Sequence, residues 1–158
     1  MSKVAAPPKP LSRIALGHQG EELAAAFIQQ SGYSLVASNF RLPVGRSRNG
    51  AVINAEIDLV AYEGSTLCFI EVKTRASDWF AIPSANVDLR KQRQITRAAR
   101  AYRRMFALSD TPYRYDVVSI ILPSESDDAS RDVEIDLLRN FWSEEKFRKR
   151  KCTERYWD

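Results

Sequence analysis

The sequence of 158 residues is poor in histidine and cysteine, with only His18, Cys68 and Cys152. A single histidine leaves almost no material for a Ser-His-Asp triad or for a Cys/His zinc site. Two cysteines cannot form a disulfide framework, which favours a reducing compartment. Any hydrolytic chemistry in this chain must therefore rest on carboxylates and lysine.

Long apolar runs are also missing from the sequence. No stretch approaches about 18 uninterrupted apolar residues, which excludes a transmembrane helix. The first residues lack the apolar segment of a secretory signal, so we expect a cytoplasmic protein without a membrane partner. With 44% hydrophobic and 28% charged residues, the composition is that of a globular chain, and the length predicts one domain.

Acidic residues are absent from the segment 90–104, which is rich in basic residues. A second basic run lies at 146–151, and the whole chain contains 17 arginines and 7 lysines, with a net charge of +4. Solvated faces are the alternative explanation, but two arginine-rich runs favour a polyanionic partner, because the guanidinium fork suits phosphate. The cations of the first segment are Arg90, Lys91, Arg93, Arg97, Arg100, Arg103 and Arg104.

Apolar periodicity and turn residues divide the chain into a leader, one domain and a tail. We expect a flexible leader at 1–12, one folded domain at 13–142 and a charged C-terminal tail at 143–158. Helix, strands, helix and strand in this order predict an α/β domain. The predicted elements are helices at 13–31 and 90–106, strands at 33–40, 55–62, 66–75 and 114–122, a basic loop at 43–54, an acidic loop at 124–132 and a short apolar run at 133–142.

The two strands at 55–62 and 66–75 form a predicted hairpin that carries the candidate chemistry. Side chains alternate along a strand, so Glu71 and Lys73 share a face, and Asp58 lies on one face of the partner strand. A two-residue turn would place Asp58 directly opposite Glu71. Opposed carboxylates repel each other, and such a pair therefore needs a compensating cation.

The turn Gly64-Ser65 gives this register and also places Glu56 opposite Lys73. Ligation by carboxylates alone suits Mg²⁺ or Mn²⁺ rather than zinc. A neighbouring lysine could then steady a water molecule or the charge that develops on a phosphate. The alternative turn, Glu63-Gly64, would place Glu56 rather than Asp58 opposite the glutamate of the second strand.

An exposed strand face with weak salt bridges would also account for an isolated Glu-x-Lys motif. The strand pair, the spacing of its carboxylates and the basic helix that follows together favour a site. The segment Glu134-Ile135-Asp136-Leu137 repeats the first half of the pattern, but no Glu-x-Lys strand follows it, so it predicts no metal site. Cys68 and Trp142 are expected in the core.

Asp58 followed on the next strand by Glu71-Val72-Lys73 resembles the PD-(D/E)xK nuclease signature of the restriction-endonuclease-like fold. More closely, the chain resembles the YraN family of uncharacterised bacterial proteins, which are grouped with endonucleases and archaeal Holliday-junction resolvases. The resemblance runs from about residue 16 to 142. The matching residues are Gly17, Gly20-Glu21, Ala24, Gly32-Tyr33, Asn39, Arg41, Glu56-Ile57-Asp58-Leu59, Phe69-Ile70-Glu71-Val72-Lys73-Thr74-Arg75, Lys91 and Arg114-Tyr115-Asp116-Val117.

This resemblance implies a restriction-endonuclease-like α/β fold, in which a mixed β-sheet is flanked by α-helices. It implies a catalytic core of Asp58, Glu71 and Lys73. It also implies that Asp58 and Glu71 hold Mg²⁺ or Mn²⁺, with Glu21 of the first helix as a further metal ligand.

The chain departs from the usual pattern of the family in three places. Ala55 and Ala81 stand where glycine is common, and the loop 43–54 is longer than the family's usual connection. These differences leave the predicted metal ligands in place and change the expected shape of the opening for the substrate.

The helix at 90–106 independently supports a nucleic-acid partner, because Arg93, Arg97, Arg100 and Arg104 fall within about 60° of one another on a helical wheel. Its apolar side consists of Ile95, Ala98, Ala99, Tyr102 and Phe106. Lys91 falls on the inward side, toward the site or the sheet. We expect nucleic acid, DNA rather than RNA, to contact Arg75, Lys91, Arg93, Arg97, Arg100 and Arg104.

Three functions are compatible with these features. The first is a metal-dependent endonuclease that hydrolyses phosphodiester bonds in branched or otherwise unusual DNA. The second is a catalytically inactive nucleic-acid-binding module of the same fold, and the third is an interaction protein whose basic helix docks an acidic partner. A homodimer would suit an enzyme that cuts two strands symmetrically, because such an enzyme needs two active sites.

Overall fold

The computed structural model describes residues 13–76, 86–123 and 132–148. The predicted leader at 1–12, Ala81 and the end of the second basic run therefore lie outside the described residues. The elements in chain order are α1 (Arg13–Gln30), β1 (Ser34–Arg46), β2 (Val52–Glu63), β3 (Thr66–Ala76), α2 (Leu89–Met105), β4 (Tyr113–Leu122), β5 (Glu134–Trp142) and a 3-10 helix (Glu144–Phe147).

The five strands form one sheet in the order β1-β2-β3-β4-β5. Strands β3 and β4 are parallel, and every other neighbouring pair is antiparallel. A parallel pair needs a crossover connection, and α2 lies in the segment that joins β3 to β4. The predicted α/β class is thus confirmed, and a mixed sheet with two helices is consistent with the restriction-endonuclease-like fold.

The central strands are buried on both faces. Phe69 packs in one core cluster with Ile95 and Tyr102 of α2. Its neighbours Cys68 and Ile70 point the other way and pack with Ile28 of α1. Since side chains alternate along a strand, the two helices cover opposite faces of the sheet.

The predicted loop at 43–54 is wrong, because β1 continues to Arg46 and β2 begins at Val52. Only residues 47–51 connect the two strands. Pro43 is tolerated because β1 is an edge strand, where a missing N–H need not break the ladder. A shift in register between Pro43 and Gly45 accommodates the local irregularity.

The C-terminal part of the domain also differs in detail from the sequence expectation. The apolar run at 133–142 forms the edge strand β5, and Trp142 is buried as expected, stacked on Tyr115 at 4.7 Å between ring centroids. The first residues of the predicted tail form the 3-10 helix, in which Glu144 accepts a hydrogen bond from the Tyr115 hydroxyl at 2.7 Å. This part of the predicted tail is therefore attached to the domain.

Among the described residues, neither α-helix combines the length and the apolar composition that a membrane crossing requires.

Candidate functional site

The β2–β3 hairpin has the register expected for a Gly64-Ser65 turn. Its ladder runs from the Glu63–Thr66 pair to the Leu59–Ile70 pair, and Gly64 adopts a positive φ of 59°. The paired ladder ends there, immediately before Asp58 on one strand and Glu71 on the other. Of the two registers that the sequence left open, the structure has the one with the Gly64-Ser65 turn, and it brings the two carboxylates to the point where the strands separate.

Asp58 takes over the hydrogen bonding where the ladder ends. Its Oδ2 accepts a hydrogen bond from the backbone N–H of Val72 at 2.8 Å. The expected pairing of Glu56 with Lys73 does not form in this way, since Glu56 instead accepts a hydrogen bond from the Arg41 Nε at 2.7 Å. The reason is that β2 leaves β3 here and continues alongside β1 alone.

Asp58 and Glu71 are both buried, with 9% and 3% of their surface exposed. The Asp58 carboxylate is near enough for its negative charge to disfavour ionisation of Glu71. Burial and, next, the negative charge of Asp58 raise the pKa of Glu71 to about 7, and the nearby lysines only partly oppose this. Ionising both carboxylates is therefore unfavourable in this site, and a bound cation would stabilise the doubly ionised pair.

Two lysines approach Glu71 from different elements. The Lys73 Nζ, on the same strand, lies 3.3 Å from Glu71 Oε1. The Lys91 Nζ, on α2, lies 3.4 Å from Glu71 Oε2. The side chain of Asp88 caps α2 by accepting the Lys91 N–H at 2.8 Å, which fixes the first turn of the helix beside the site. The inward direction expected for Lys91 is thus what the structure shows.

The donor set is compatible with a hard divalent cation. Glu71 Oε2 is buried and accepts no hydrogen bond within the described part of the chain. Mg²⁺ commonly binds through one or two carboxylates and completes its coordination with water and substrate phosphates. Asp58 and Glu71 are the residues that would hold such an ion.

Glu21 reaches the vicinity of the site through a close contact between α1 and β3. A Cβ added to Gly20 would lie 1.7 Å from the Thr74 Oγ1, so only glycine allows this approach. Glu21 and Lys73 consequently line one cavity of about 370 Å³.

The structure does not assemble the expected three-carboxylate cluster. No group of three or more His, Cys, Asp or Glu side chains that could hold a metal occurs in the described ranges. The Glu21 carboxylate lies 3.8 Å from the Nδ1 of His18. The role of Glu21 as a metal ligand remains a prediction.

The arginines of α2 do not form a uniformly free face. Arg100 and Arg103 donate hydrogen bonds to Glu144 at 2.8 and 3.2 Å. The Arg97 guanidinium donates to the carbonyl of Val44 at 3.2 Å. The acidic partner comes from the 3-10 helix, so the absence of acids within α2 did not reveal it.

The other arginines of this set are more open. Arg93 lies over the Phe147 ring at 5.7 Å from its centroid, while Arg104 and Arg75 are exposed. Phe106, expected on the buried side of the helix, lies just beyond its end and is 48% exposed. Its ring nevertheless contacts Phe40 and Tyr102.

A second charged cluster, which sequence reasoning did not interpret, surrounds the fully buried Asp116. This carboxylate accepts hydrogen bonds from Arg114 Nε at 2.9 and 3.0 Å, from the Tyr33 hydroxyl at 3.2 Å and from the Asn140 N–H at 2.8 Å. Arg114 also contacts Glu63. These contacts join Tyr33, in the connection between α1 and β1, to β2, β4 and β5.

Comparison with known proteins gives a consistent family assignment. A UPF0102 protein of Koribacter versatilis is 42% identical over 106 residues, which cover 67% of this chain and 68% of the relative. A UPF0102 protein of Chlorobium limicola is 38% identical over 130 residues, covering 82% and 93%. Another, of Caldicellulosiruptor saccharolyticus, is 34% identical over 125 residues, covering 79% and 94%. The model of the Uncharacterised protein family UPF0102 matches residues 20–120, and the chain belongs to this family, which is the YraN family that its motifs resemble.

Proposed function

We propose that this protein is a divalent-metal-dependent endonuclease that hydrolyses phosphodiester bonds in branched or otherwise unusual DNA. The observation that carries the proposal is the buried carboxylate pair Asp58–Glu71 with the Lys73 ammonium 3.3 Å from Glu71. Two adjacent buried carboxylates are costly for the fold, and such perturbed groups are concentrated at functional sites.

Asp58 and Glu71 would hold Mg²⁺ or Mn²⁺. When bound, the ion would supply positive charge that stabilises the negative charge developing on the phosphate. Asp58 Oδ2 accepts the Val72 N–H, and this hydrogen bond holds the carboxylate that would bind the ion in one orientation. Burial makes these electrostatic interactions stronger than they would be in water.

The two lysines would position the phosphate and the attacking water. The Lys73 ammonium contacts Glu71 at 3.3 Å. Because 31% of the side chain is exposed, Lys73 also remains open to solvent. Lys91 has the same relation to the other oxygen of Glu71 and is 33% exposed. Each lysine can therefore donate to a phosphate oxygen without leaving the carboxylate.

A nucleic-acid-binding module without turnover is the second candidate. It is favoured by the two lysines that already compensate Glu71 and by the lack of a third carboxylate ligand among the described residues. The two candidates share a binding surface and differ only in hydrolysis.

The test is a cleavage panel with duplex, single-stranded, flap and four-way DNA, in Mg²⁺, Mn²⁺ or EDTA. Asp58→Asn is the informative variant, because an amide retains an oxygen for the Val72 N–H but loses the charge. Asp136→Asn is the matched control, since it makes the same change in the Glu-Ile-Asp-Leu segment of β5. Metal-dependent cleavage that Asp58→Asn abolishes and Asp136→Asn retains is the expected result.

Two other outcomes would contradict hydrolysis. Binding of DNA by the wild type without cleavage in any metal would select the non-catalytic module. Failure to bind any of the four substrates would remove both candidates and favour an acidic protein as the partner of α2.

A further inference from the structure

A polar cleft lies between the outer parts of β1 and β2 and the first half of α2. Its volume is about 170 Å³. The residues that matter for its chemistry are Val44, Asn54, Glu56, Lys91, Gln94 and Arg97. We call this feature the ribbon–α2 cleft.

One wall of the cleft is a two-stranded ribbon that the sequence pattern had indicated as a loop. The β2–β3 ladder ends at the Leu59–Ile70 pair, whereas β1 and β2 remain paired out to Arg46 and Val52. The Arg97 hydrogen bond to the Val44 carbonyl ties this ribbon to α2. The cleft is thus bounded by two regular elements.

The cleft and the candidate carboxylates share one neighbouring side chain, that of Lys91. Lys91 lines the cleft, and its Nζ lies 3.4 Å from Glu71 Oε2. The same side chain therefore joins the cleft to the pair Asp58–Glu71. A ligand in the cleft and the Glu71 carboxylate would therefore both contact the Lys91 side chain.

The charge of the cleft suits an anion. Arg97 contributes a cation that contacts only the neutral Val44 carbonyl in the described ion pairs and hydrogen bonds, and Lys91 contributes a second that also contacts Glu71, whereas the carboxylate of Glu56 is paired with Arg41. Asn54 and Gln94 add neutral amides, both exposed, whose N–H groups can donate to an oxygen anion.

The far end of α2 is less suited to this task. Arg100 and Arg103 already donate to Glu144 and would have to exchange that partner for phosphate. This difference favours the cleft, rather than the full row of α2 arginines, as the path of a bound strand.

We propose that the ribbon–α2 cleft is a phosphate subsite for a nucleic-acid strand, with Arg97 and Lys91 holding a backbone phosphate next to the one at Asp58–Glu71. The inference rests on the proposed function, because that function places the neighbouring phosphate of the same strand at Asp58–Glu71. Its binding step requires neither metal nor turnover, so the two proposals can fail separately.

The test measures fluorescence anisotropy of a labelled forked DNA with single-stranded arms, in EDTA, as a function of salt. Arg97→Gln should weaken binding about 10-fold and make the slope of log K against log salt shallower by about 0.9 for one lost phosphate contact. Arg97→Lys should recover part of the affinity, because it restores the charge. Gln94→Trp should weaken binding more than Gln94→Ala does, because the indole fills the cleft whereas alanine removes only one neutral donor, and neither variant changes the charge.

Arg104→Gln provides the charge control, since it removes the same charge from an exposed position of α2 outside the cleft. Equal losses of DNA affinity in Arg104→Gln and Arg97→Gln would mean that α2 attracts DNA by its overall charge, and would overturn the subsite. Wild-type affinity in Arg97→Gln, or no DNA binding by the wild type, would also overturn it. The thermal midpoint of each variant shows whether it folds. If Gln94→Trp does not fold, the result for Arg97→Gln alone tests the subsite. If the wild type cleaves DNA with metal but Arg97→Gln binds DNA as tightly as the wild type, only the subsite is rejected. If Arg97→Gln binds more weakly but the wild type cleaves none of the substrates, only the proposed hydrolysis is rejected.

Discussion

At the scale of the residue, Glu71 is where opposing electrostatic effects meet. Burial and the neighbouring Asp58 charge favour its protonated form, whereas Lys91 and Lys73 favour its carboxylate. The pKa nevertheless rises from 4.5 to about 7. Without a cation, the folded protein therefore binds a proton that the unfolded chain releases at lower pH.

This difference predicts that the metal-free protein loses stability as the pH rises. The contribution of Glu71 is fully present below pH 4.5 and is lost as the pH passes through about 7. The free energy of unfolding should fall over this range by up to ~3 kcal/mol from this group. Urea unfolding in EDTA, at a series of pH values, measures the slope.

Glu71→Gln should flatten this pH dependence, because the amide does not titrate. Glu22→Gln, on the exposed side of α1, makes the same chemical change away from the site and should leave the slope unchanged. Parallel stability curves for Glu71→Gln and the wild type would contradict the assigned environment of Glu71.

At the scale of the element, the packing of α1 on β3 depends on one glycine. Gly20→Ala should destabilise the protein by about 1–3 kcal/mol, because the new Cβ collides with Thr74 and the helix must move away. Gly17→Ala is the matched control, since a Cβ there meets no atom within 4 Å. It should be neutral or stabilise the helix by up to about 1 kcal/mol. Denaturant unfolding of both variants checks the prediction, and equal effects would reject it.

The attachment of the 3-10 helix to α2 depends on Glu144. Burial by itself would raise the pKa of Glu144, but the hydrogen bonds from Tyr115 and Arg100 and the charge of Arg103 lower it. Its ionised form therefore stabilises the fold, and this contribution is lost as the pH falls through the lowered pKa.

Glu144→Gln should reduce the free energy of unfolding by about 1–3 kcal/mol at neutral pH, because partly buried donors lose a charged acceptor. Glu145→Gln changes the adjacent, exposed residue and should have little effect. The comparison uses urea unfolding at one pH. A loss in Glu145→Gln as large as that in Glu144→Gln would show that the contacts of Glu144 are not the cause.

At the scale of the whole molecule, a cation bound at Asp58–Glu71 would stabilise the native state, because the unfolded chain holds no such pair. Mg²⁺ should raise the thermal midpoint of the wild type, with about 2.7 kcal/mol of stabilisation at 100 times the dissociation constant. Each kcal/mol corresponds to about 2–4 °C for a chain of this size.

Asp58→Asn should lose this shift relative to its own metal-free midpoint, and Asp136→Asn should keep it. Differential scanning fluorimetry with a Mg²⁺ titration makes the comparison. Equal shifts in the wild type and in Asp58→Asn would place any bound cation elsewhere.

The sequence by itself determined the features that depend on short-range geometry. The hairpin and the alternation of side chains along its strands were predictable, and they limited the register to two choices, one of which places Asp58 and Glu71 together as observed. The same alternation placed Cys68 in the core, and the period of α2 identified its buried side, apart from Phe106 at the helix end. Each of these features depends on neighbours that are close in the chain.

Only the tertiary structure decided the features that join distant segments. Arg100 and Glu144 are 44 residues apart, and Arg97 and Val44 are 53 residues apart, so no local pattern of α2 shows either contact. The strands of the outer ribbon were hidden by turn-forming residues such as Pro43 and Gly45, because pairing to β2 and packing against α2 override local preference. The sequence therefore indicated the carboxylate pair and its lysines, whereas long-range packing decided which groups the arginines of α2 contact, because contacts between distant segments form only after the sheet has brought them together.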